Sequence, residues 1–289
     1  MPPKEKPSIP KSSASVSSAS VSSPPAIADI NDRIRQLGRR RILELPQMLD
    51  FHTWLDGKRL ARQSCRVIGE SRTGKTVSCD TYHLKSQITQ RPGHAPIVPV
   101  MYWHCCENLS VRSLFIGLLE TLQYQATRGQ NPELRERVYH VLRNCQVEMI
   151  IFDEAQRASA QAMSEIRDIS DLLEIAVVLV GTDRLNVVIQ RDEQVLYRFL
   201  SAYRFSRLDS DDLQAMTALW ETHVLQLPDP SELTQPKAQS LLLQATRGYI
   251  GVLDQILCEA AIRALQQGQT RIELSLLRQV VKECSLAIK

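Results

Sequence analysis

No run of apolar residues in this 289-residue chain approaches the length needed to span a bilayer, so no membrane partner is expected. The N-terminus also lacks the apolar core of a secretion signal, which makes the cytoplasm the expected location. Seven cysteines stand at 65, 79, 105, 106, 145, 258 and 284. None forms a CxxC pair, and no histidines flank them at zinc-ligand spacing. They are therefore expected to be reduced and mostly buried. Nothing around the vicinal pair Cys105–Cys106 argues for redox chemistry. The chain has no internal repeat, and its net charge of only +3 carries no nucleic-acid signature by itself.

What is present is distributed unevenly. Residues 1–62 hold 11 Lys and Arg against 6 Asp and Glu, whereas the remainder holds 24 against 26. The basic excess centres on Arg33, Arg35 and the run Arg39-Arg40-Arg41. A solvated helix face and a contact to a phosphate backbone both account for it. Residues 1–27 are dominated by Ser, Pro, Ala and Lys and hold no aromatic residue. Such a segment buries too little apolar surface to offset its ordering entropy, which predicts a disordered tail. Residues 28–62 then show a helical period through Ile30, Ile34, Leu37, Met48, Phe51 and Leu55, predicting a short helical preface packed against the main domain.

From 63 to 209 strand and helix signals alternate, the pattern of a parallel sheet sandwiched by helices. Strands are expected at Cys65–Ile68, Ile97–His104, Glu148–Phe152, Ile175–Val180 and Arg204–Leu208. Helices are expected at Lys75–Ser86, Ser113–Thr127, Pro132–Cys145 and Ser159–Leu173. The third and fourth strands are continuous apolar runs, as central strands covered on both faces require. Residues 210–289 read as an all-helical domain of roughly four helices, punctuated by Pro228 and Gly248.

The chemistry-bearing motif is Gly69-Glu70-Ser71-Arg72-Thr73-Gly74-Lys75-Thr76, which fits GxxxxGK[ST] and sits between an expected strand and an expected helix. Gly69 and Gly74 let the backbone curl so that successive N–H groups, including that of Val77, face phosphate oxygens. The helix start adds its positive dipole end. Lys75 neutralises the β- and γ-phosphates, and the Thr76 hydroxyl suits magnesium.

About 75 residues further on, Met149-Ile-Ile-Phe-Asp153-Glu154 ends a buried strand in two carboxylates. Asp153 suits the metal, and Glu154 suits the orientation and deprotonation of an attacking water. A helix cap would explain one acid but not the pair. Thr182, closing Val178-Leu-Val-Gly181, is placed to bond the γ-phosphate or the water, a turn with a helix cap being the other reading. Arg198 and, second, Arg204 precede or enter the last strand. There an arginine can reach a neighbouring subunit's transferring phosphoryl group, although an intramolecular salt bridge fits each equally well.

With these motifs placed, the sequence resembles the AAA+ ATPase superfamily in its initiator-like branch, and more closely the TnsC/TniB family of transposition regulators. The carrying segments are GESRTGKT, MIIFDEAQ, VVLVGTDRL, DEQVLYRF and TRGYIGVLD, spanning about Phe51 to the C-terminus. The stretch FHTWLDGKRLARQSCRVIGESRTGKT resembles TnsC proteins of CRISPR-associated transposons in particular. The resemblance implies an AAA+ nucleotide-binding domain with a helical lid, binding ATP and Mg2+ and hydrolysing ATP. It further implies assembly on duplex DNA, without sequence specificity, as a hexameric ring or helical filament. Such an assembly links a TniQ-like target-selection protein to the transposase. DNA contacts would fall on Arg112, Thr127 and Arg128.

One departure from the superfamily concerns the lid. Arg247-Gly248-Tyr-Ile-Gly251-Val252 carries no arginine after its glycine, which leaves Arg247 as the substitute γ-phosphate sensor. Two rivals share the catalytic motifs: a helicase-loader or initiator-like ATPase, and a nucleotide-switch signalling ATPase with a protein partner. No winged-helix or repeat pattern is read after the lid. That weighs against both rivals and against sequence-specific DNA recognition.

Overall fold

A computed structural model describes residues 27–38 and 42–286. The expected tail 1–27, Ile27 excepted, and the Arg39-Arg40-Arg41 run lie outside the described residues. Among the described residues no helix is long and apolar enough to cross a membrane.

Five strands, β1 (Cys65–Gly69), β2 (Val100–His104), β3 (Met149–Asp153), β4 (Ala176–Gly181) and β5 (Ala202–Phe205), form one sheet in the order β2-β3-β4-β1-β5. Every neighbouring pair is parallel. The order matters for function, because β4 lies between β3 and β1 and all carboxyl ends share one edge. Every residue of β3 and β4 is buried, as their unbroken apolar runs require.

Each face of the sheet has its own core. On one side lie helices α4 (Val111–Thr121), α5 (Asn131–Asn144), α6 (Ala160–Leu173), α7 (Arg184–Ile189) and α8 (Glu193–Arg198), packing Leu114, Leu134, Ile166 and Phe199 against Ile150 and Phe152. On the other lie α2 (Pro46–Leu60) and α3 (Lys75–Lys85), with Phe51, Leu55 and Cys79 against Val67, Ile151 and Val178. The third core is wholly helical: α9 (Ser210–Trp220) with a π-turn Glu221–Leu225, α10 (Pro236–Thr246), α11 (Ile250–Gln266) and α12 (Leu274–Leu286).

The expected helical preface divides between two bodies. Its second half, α2, packs on the sheet, where Phe51 lies 5.0 Å from the rings of both Tyr203 and Phe205. Its first half, α1 (Ile27–Leu37), instead presents Ile30, Ile34 and Leu37 to the helical domain. There Arg33 donates to the carbonyl of Leu225 at 2.5 Å, at the end of the π-turn. That bond places a cation on the electronegative end of a helix. It gives Arg33, read above as a solvated or phosphate-facing charge, a role inside the chain.

Strand and helix ends moved for identifiable reasons. β2 begins at Val100 rather than Ile97 because Pro99, lacking an N–H, cannot extend the ladder. Pro99 instead accepts from Glu148 and Met149 through its carbonyl. β5 covers Ala202–Phe205, since Leu208 leaves the sheet to donate to the carbonyl of Gly248 at 2.8 Å. The helix expected at Ser113–Thr127 is α4, which stops at Thr121, with Gln123 in the left-handed region at φ 59°. Residues 125–130 then form a loop pinned by Arg112 to Gly129 O and by Arg137 to Ala126 O and Arg128 O.

The seven cysteines are all free thiols. Cys65, Cys79, Cys105 and Cys145 are buried, whereas Cys106 is exposed. Burial pushes the thiols of Cys65 and Cys105 up to about 12, which keeps them protonated and unreactive. Among the described residues no cluster of three or more His, Cys, Asp or Glu has metal-binding geometry.

Candidate active site

β1 ends at Gly69, the chain turns through Glu70–Thr73, and Gly74 at φ +94° launches α3. A left-handed residue at this point is a glycine's place, because a Cβ would strain it. Lys75, only 6% exposed, folds back to donate to the carbonyls of Gly69 at 2.7 Å and Glu70 at 2.5 Å. Burial pulls its ammonium below the ordinary lysine value, while the carboxylates of Asp153 and Glu154 pull the other way. Thr73 closes the loop from inside, its hydroxyl donating to Glu70 O at 2.8 Å.

Asp153, the last residue of β3, is 1% exposed, and both of its oxygens are occupied. Oδ2 accepts from the Thr76 hydroxyl at 2.8 Å and from the Tyr102 phenol at 2.7 Å. Oδ1 accepts from the Glu154 amide at 2.9 Å. A hydroxyl and a carboxylate converging in this way form an all-oxygen donor set, which fits a hard cation such as Mg2+. Glu154 follows in the left-handed region at φ 57°, and its Oε2 accepts from Gln156 Nε2 at 2.5 Å. Thr182 stands directly after β4, between the other two strand ends. Its Oγ1 is buried and finds no partner among the described residues, so it caps nothing. A buried hydroxyl with an unused bond at this edge is available to a ligand oxygen.

The loop opens into a cavity of about 560 Å³. Ser71–Ser78 and Glu154 line it together with the apolar Leu43, Met48, Phe205, Trp220 and Ile250, side chains suited to a flat heteroaromatic base. The preface, the last strand and the helical domain therefore all contribute to one wall. A larger groove of about 700 Å³ between the starts of α10 and α12 contains none of these residues.

Residues 33–206 match the family described as Bacterial TniB protein. The chain belongs to the TniB family. No curated protein matches it. Among solved structures it is similar to the Aeropyrum pernix ORC2 protein, with a TM-score of 0.66 and 13% identity over 86% of this chain and 71% of that one. It is also similar to Cdc6p from Pyrobaculum aerophilum, at 0.68 and 17% over 86% and 70%. A third is the Aeropyrum pernix ORC1 protein, solved in complex with DNA, at 0.63 and 14% over 86% and 69%. At these identities the likeness is one of fold: a parallel sheet between helices with a helical domain behind it. This TniB-family chain is an AAA+ ATPase, and its helical domain contributes Trp220, Val224 and Ile250 to the cavity at the loop.

The remaining expected residues of the TniB-family chain fall in four places. Arg198 forms an ion pair with Asp171, and Arg204 donates to Asp183 at 2.8 Å. Both arginines are thus engaged within the chain while remaining substantially exposed. Arg112, Thr127 and Arg128 gather around the loop between α4 and α5, where Arg112 is committed to Gly129 O and the Arg128 side chain is exposed. Arg247 ends α10 at φ 51° and is exposed outside the cavity wall. Glu70, which does not line the cavity, is held by Arg207 and Tyr249, and Arg72 donates to Gln255.

Sequence reasoning missed Tyr102, Gln156, Arg207 and Tyr249. Gln156 was visible as the amide two residues beyond the acid pair. Tyr102 depended on the β2–β3 register, which pairs His104 with Asp153.

Proposed function

We propose that this TniB-family ATPase uses ATP to assemble on duplex DNA without reading its sequence, and that hydrolysis controls the assembly and thereby transposition. In this reading it links a TniQ-like target-selection protein to the transposase in the cytoplasm. It assembles as a hexameric ring or helical filament, most like TnsC of CRISPR-associated transposons. The convergence of Lys75, Thr76, Asp153 and Glu154 on one sheet edge, in a chain of this family, is the observation that carries it.

The chemistry follows from these residues. Lys75 exchanges its two loop carbonyls for β- and γ-phosphate oxygens of ATP, while N–H groups from Gly69 to Val77 cradle the same phosphates. Thr76 and Asp153 would hold Mg2+, which when bound supplies positive charge against the phosphates. Glu154 accepts the proton of the attacking water, and Gln156 fixes which carboxylate oxygen faces it. Thr182 donates its unused hydroxyl to the γ-phosphate or to the water. Arg198, or Arg204, reaches the site of a neighbouring copy after releasing Asp171 or Asp183. That requirement would make hydrolysis depend on assembly. Arg112, Thr127 and Arg128 face the DNA backbone, and Arg247 is retained as the lid's candidate sensor.

Fluorescence anisotropy of a labelled random-sequence duplex, with a non-hydrolysable ATP analogue or with no nucleotide, tests the reading. Cooperative, nucleotide-dependent binding that ignores sequence is expected, and imaging then separates ring from filament. Absence of binding in both conditions overturns the DNA reading and leaves a nucleotide switch with a protein partner.

A further inference from the structure

Glu70 is the single carboxylate within the phosphate loop. Its position is a liability, because a triphosphate bound to that loop would meet a negative charge at the loop's first turn. The structure holds this side chain from two directions. Arg207, two residues beyond β5, grips it with both arms of its guanidinium, Nε to Oε2 at 2.9 Å and Nη2 to Oε1 at 2.8 Å. The hydroxyl of Tyr249, at the start of the lid helix α11, donates to Oε2 as well. The Arg207 guanidinium also lies over the Tyr249 ring, 4.4 Å from its centroid. Each member therefore touches the other two.

The clasp stands on a hinge fixed by backbone contacts. Gly248, at φ +78°, packs so tightly that a Cβ there would come within 2.3 Å of Leu208 O. Its own carbonyl accepts from Leu208 N at 2.8 Å. Gly251 donates to the carbonyl of Arg72 in the phosphate loop at 3.0 Å. The Glu70 carbonyl meanwhile accepts from Lys75 and Thr73. One residue thus joins the phosphate-binding lysine, the inter-domain segment and the lid.

We propose that Arg207 is a positioning residue of the nucleotide site, acting through Glu70: it neutralises the loop's carboxylate and turns it away from the phosphates. Tyr249 completes the clasp from the lid, so the neutralisation is complete only when the lid is seated. This supplies a link between lid and phosphates in a chain whose lid helix opens without an arginine. The inference rests on the assignment of Gly69–Thr76 as the phosphate site.

The test is the affinity of the full chain for fluorescent ATP and ADP analogues, at low and raised salt. Arg207→Gln is expected to weaken ATP about five- to tenfold at low salt, ADP less, with the loss shrinking as salt screens the exposed charge. The double variant Glu70→Gln/Arg207→Gln is expected to recover affinity to within about twofold of the wild type, because the repelling charge is gone. Tyr249→Phe is expected to fall between the wild type and Arg207→Gln. An Arg207→Gln variant that binds ATP normally overturns the proposal. A double variant as weak as Arg207→Gln overturns it too, since Arg207 would then act without Glu70. Melting curves for each variant confirm that the chain is folded. Lys75→Ala serves as the separate control: if it binds ATP like the wild type, the phosphate-site assignment fails rather than the clasp.

Discussion

Gly181 is the last residue of β4, and its Cα lies against the side chain that steadies Glu154. A Cβ built there would stand 2.2 Å from Gln156 Oε1 and 3.1 Å from Leu185 Cβ. In Gly181→Ala the Gln156 amide, the free end of a flexible side chain, has to swing away. Leu185 has to yield a few tenths of an ångström. Such overpacking costs about 1–2 kcal/mol of stability. The catalytic effect is separate and larger in kind. Gln156 Nε2 donates to Glu154 Oε2 at 2.5 Å, and a hydrogen bond to a charged group contributes about 1.5–3 kcal/mol. If that orientation is needed at the transition state, kcat falls roughly 10- to 100-fold, at about 1.4 kcal/mol per decade. ATP affinity, assigned above to Gly69–Thr76, should stay within about twofold of the wild type, because a Cβ at Gly181 would press first on Gln156 and Leu185. The assay is steady-state ATP hydrolysis with saturating DNA, alongside analogue binding and thermal melting. An unchanged kcat would refute the role given to Gln156. A raised kcat would show that the bond parks the glutamate instead of aiming it.

Lys75→Ala should abolish ATP binding and assembly, measured by analogue binding and light scattering. Glu154→Gln should retain ATP, hydrolyse it about 10²–10⁴-fold more slowly, and stay on DNA; wild-type turnover would remove Glu154 from the water-activating role. Tyr102→Phe deletes one of the two hydroxyl donors to Asp153 Oδ2, and should raise the Mg2+ needed for half-maximal nucleotide binding about tenfold while leaving the melting curve nearly unchanged. His52 is buried with its imidazole below the ordinary value of 6.5, chiefly through desolvation and against the raising effect of the Ser78 carbonyl. Below about 6.5 the unfolded chain takes up a proton that the folded chain refuses, so stability is full above that pH and falls beneath it. His52→Gln should flatten the fall in melting temperature between about pH 7 and 5, and an unaltered slope would assign it to other groups.

The strand–turn–helix at Gly69–Thr76 and the acids at the end of β3 were legible because their geometry is local. A strand, a glycine-rich turn and a helix start need only eight consecutive residues, Gly69 to Thr76, and an apolar run ending in Asp153 and Glu154 announces a buried strand edge. Periodicity likewise marked the central strands, since β3 and β4 are covered on both faces and admit no polar residue before their ends. Periodicity showed that Ile30, Ile34 and Leu37 need an apolar partner but not which one, and the partner proved to be the helical domain rather than the sheet.

Everything that depends on two distant segments meeting was decided by the tertiary structure. Tyr102 reaches Asp153 across 51 positions because β2 and β3 pair in one register, and Gln156 meets Gly181 because β4 lies beside β3. Glu70 meets Arg207 and Tyr249, 137 and 179 positions away, because the helical domain packs against the loop. A chain encodes its turns and buried runs in neighbouring residues, where backbone sterics and solvent act directly. Which side chain faces which across a sheet or a domain seam follows only from how the whole set of apolar faces packs at once.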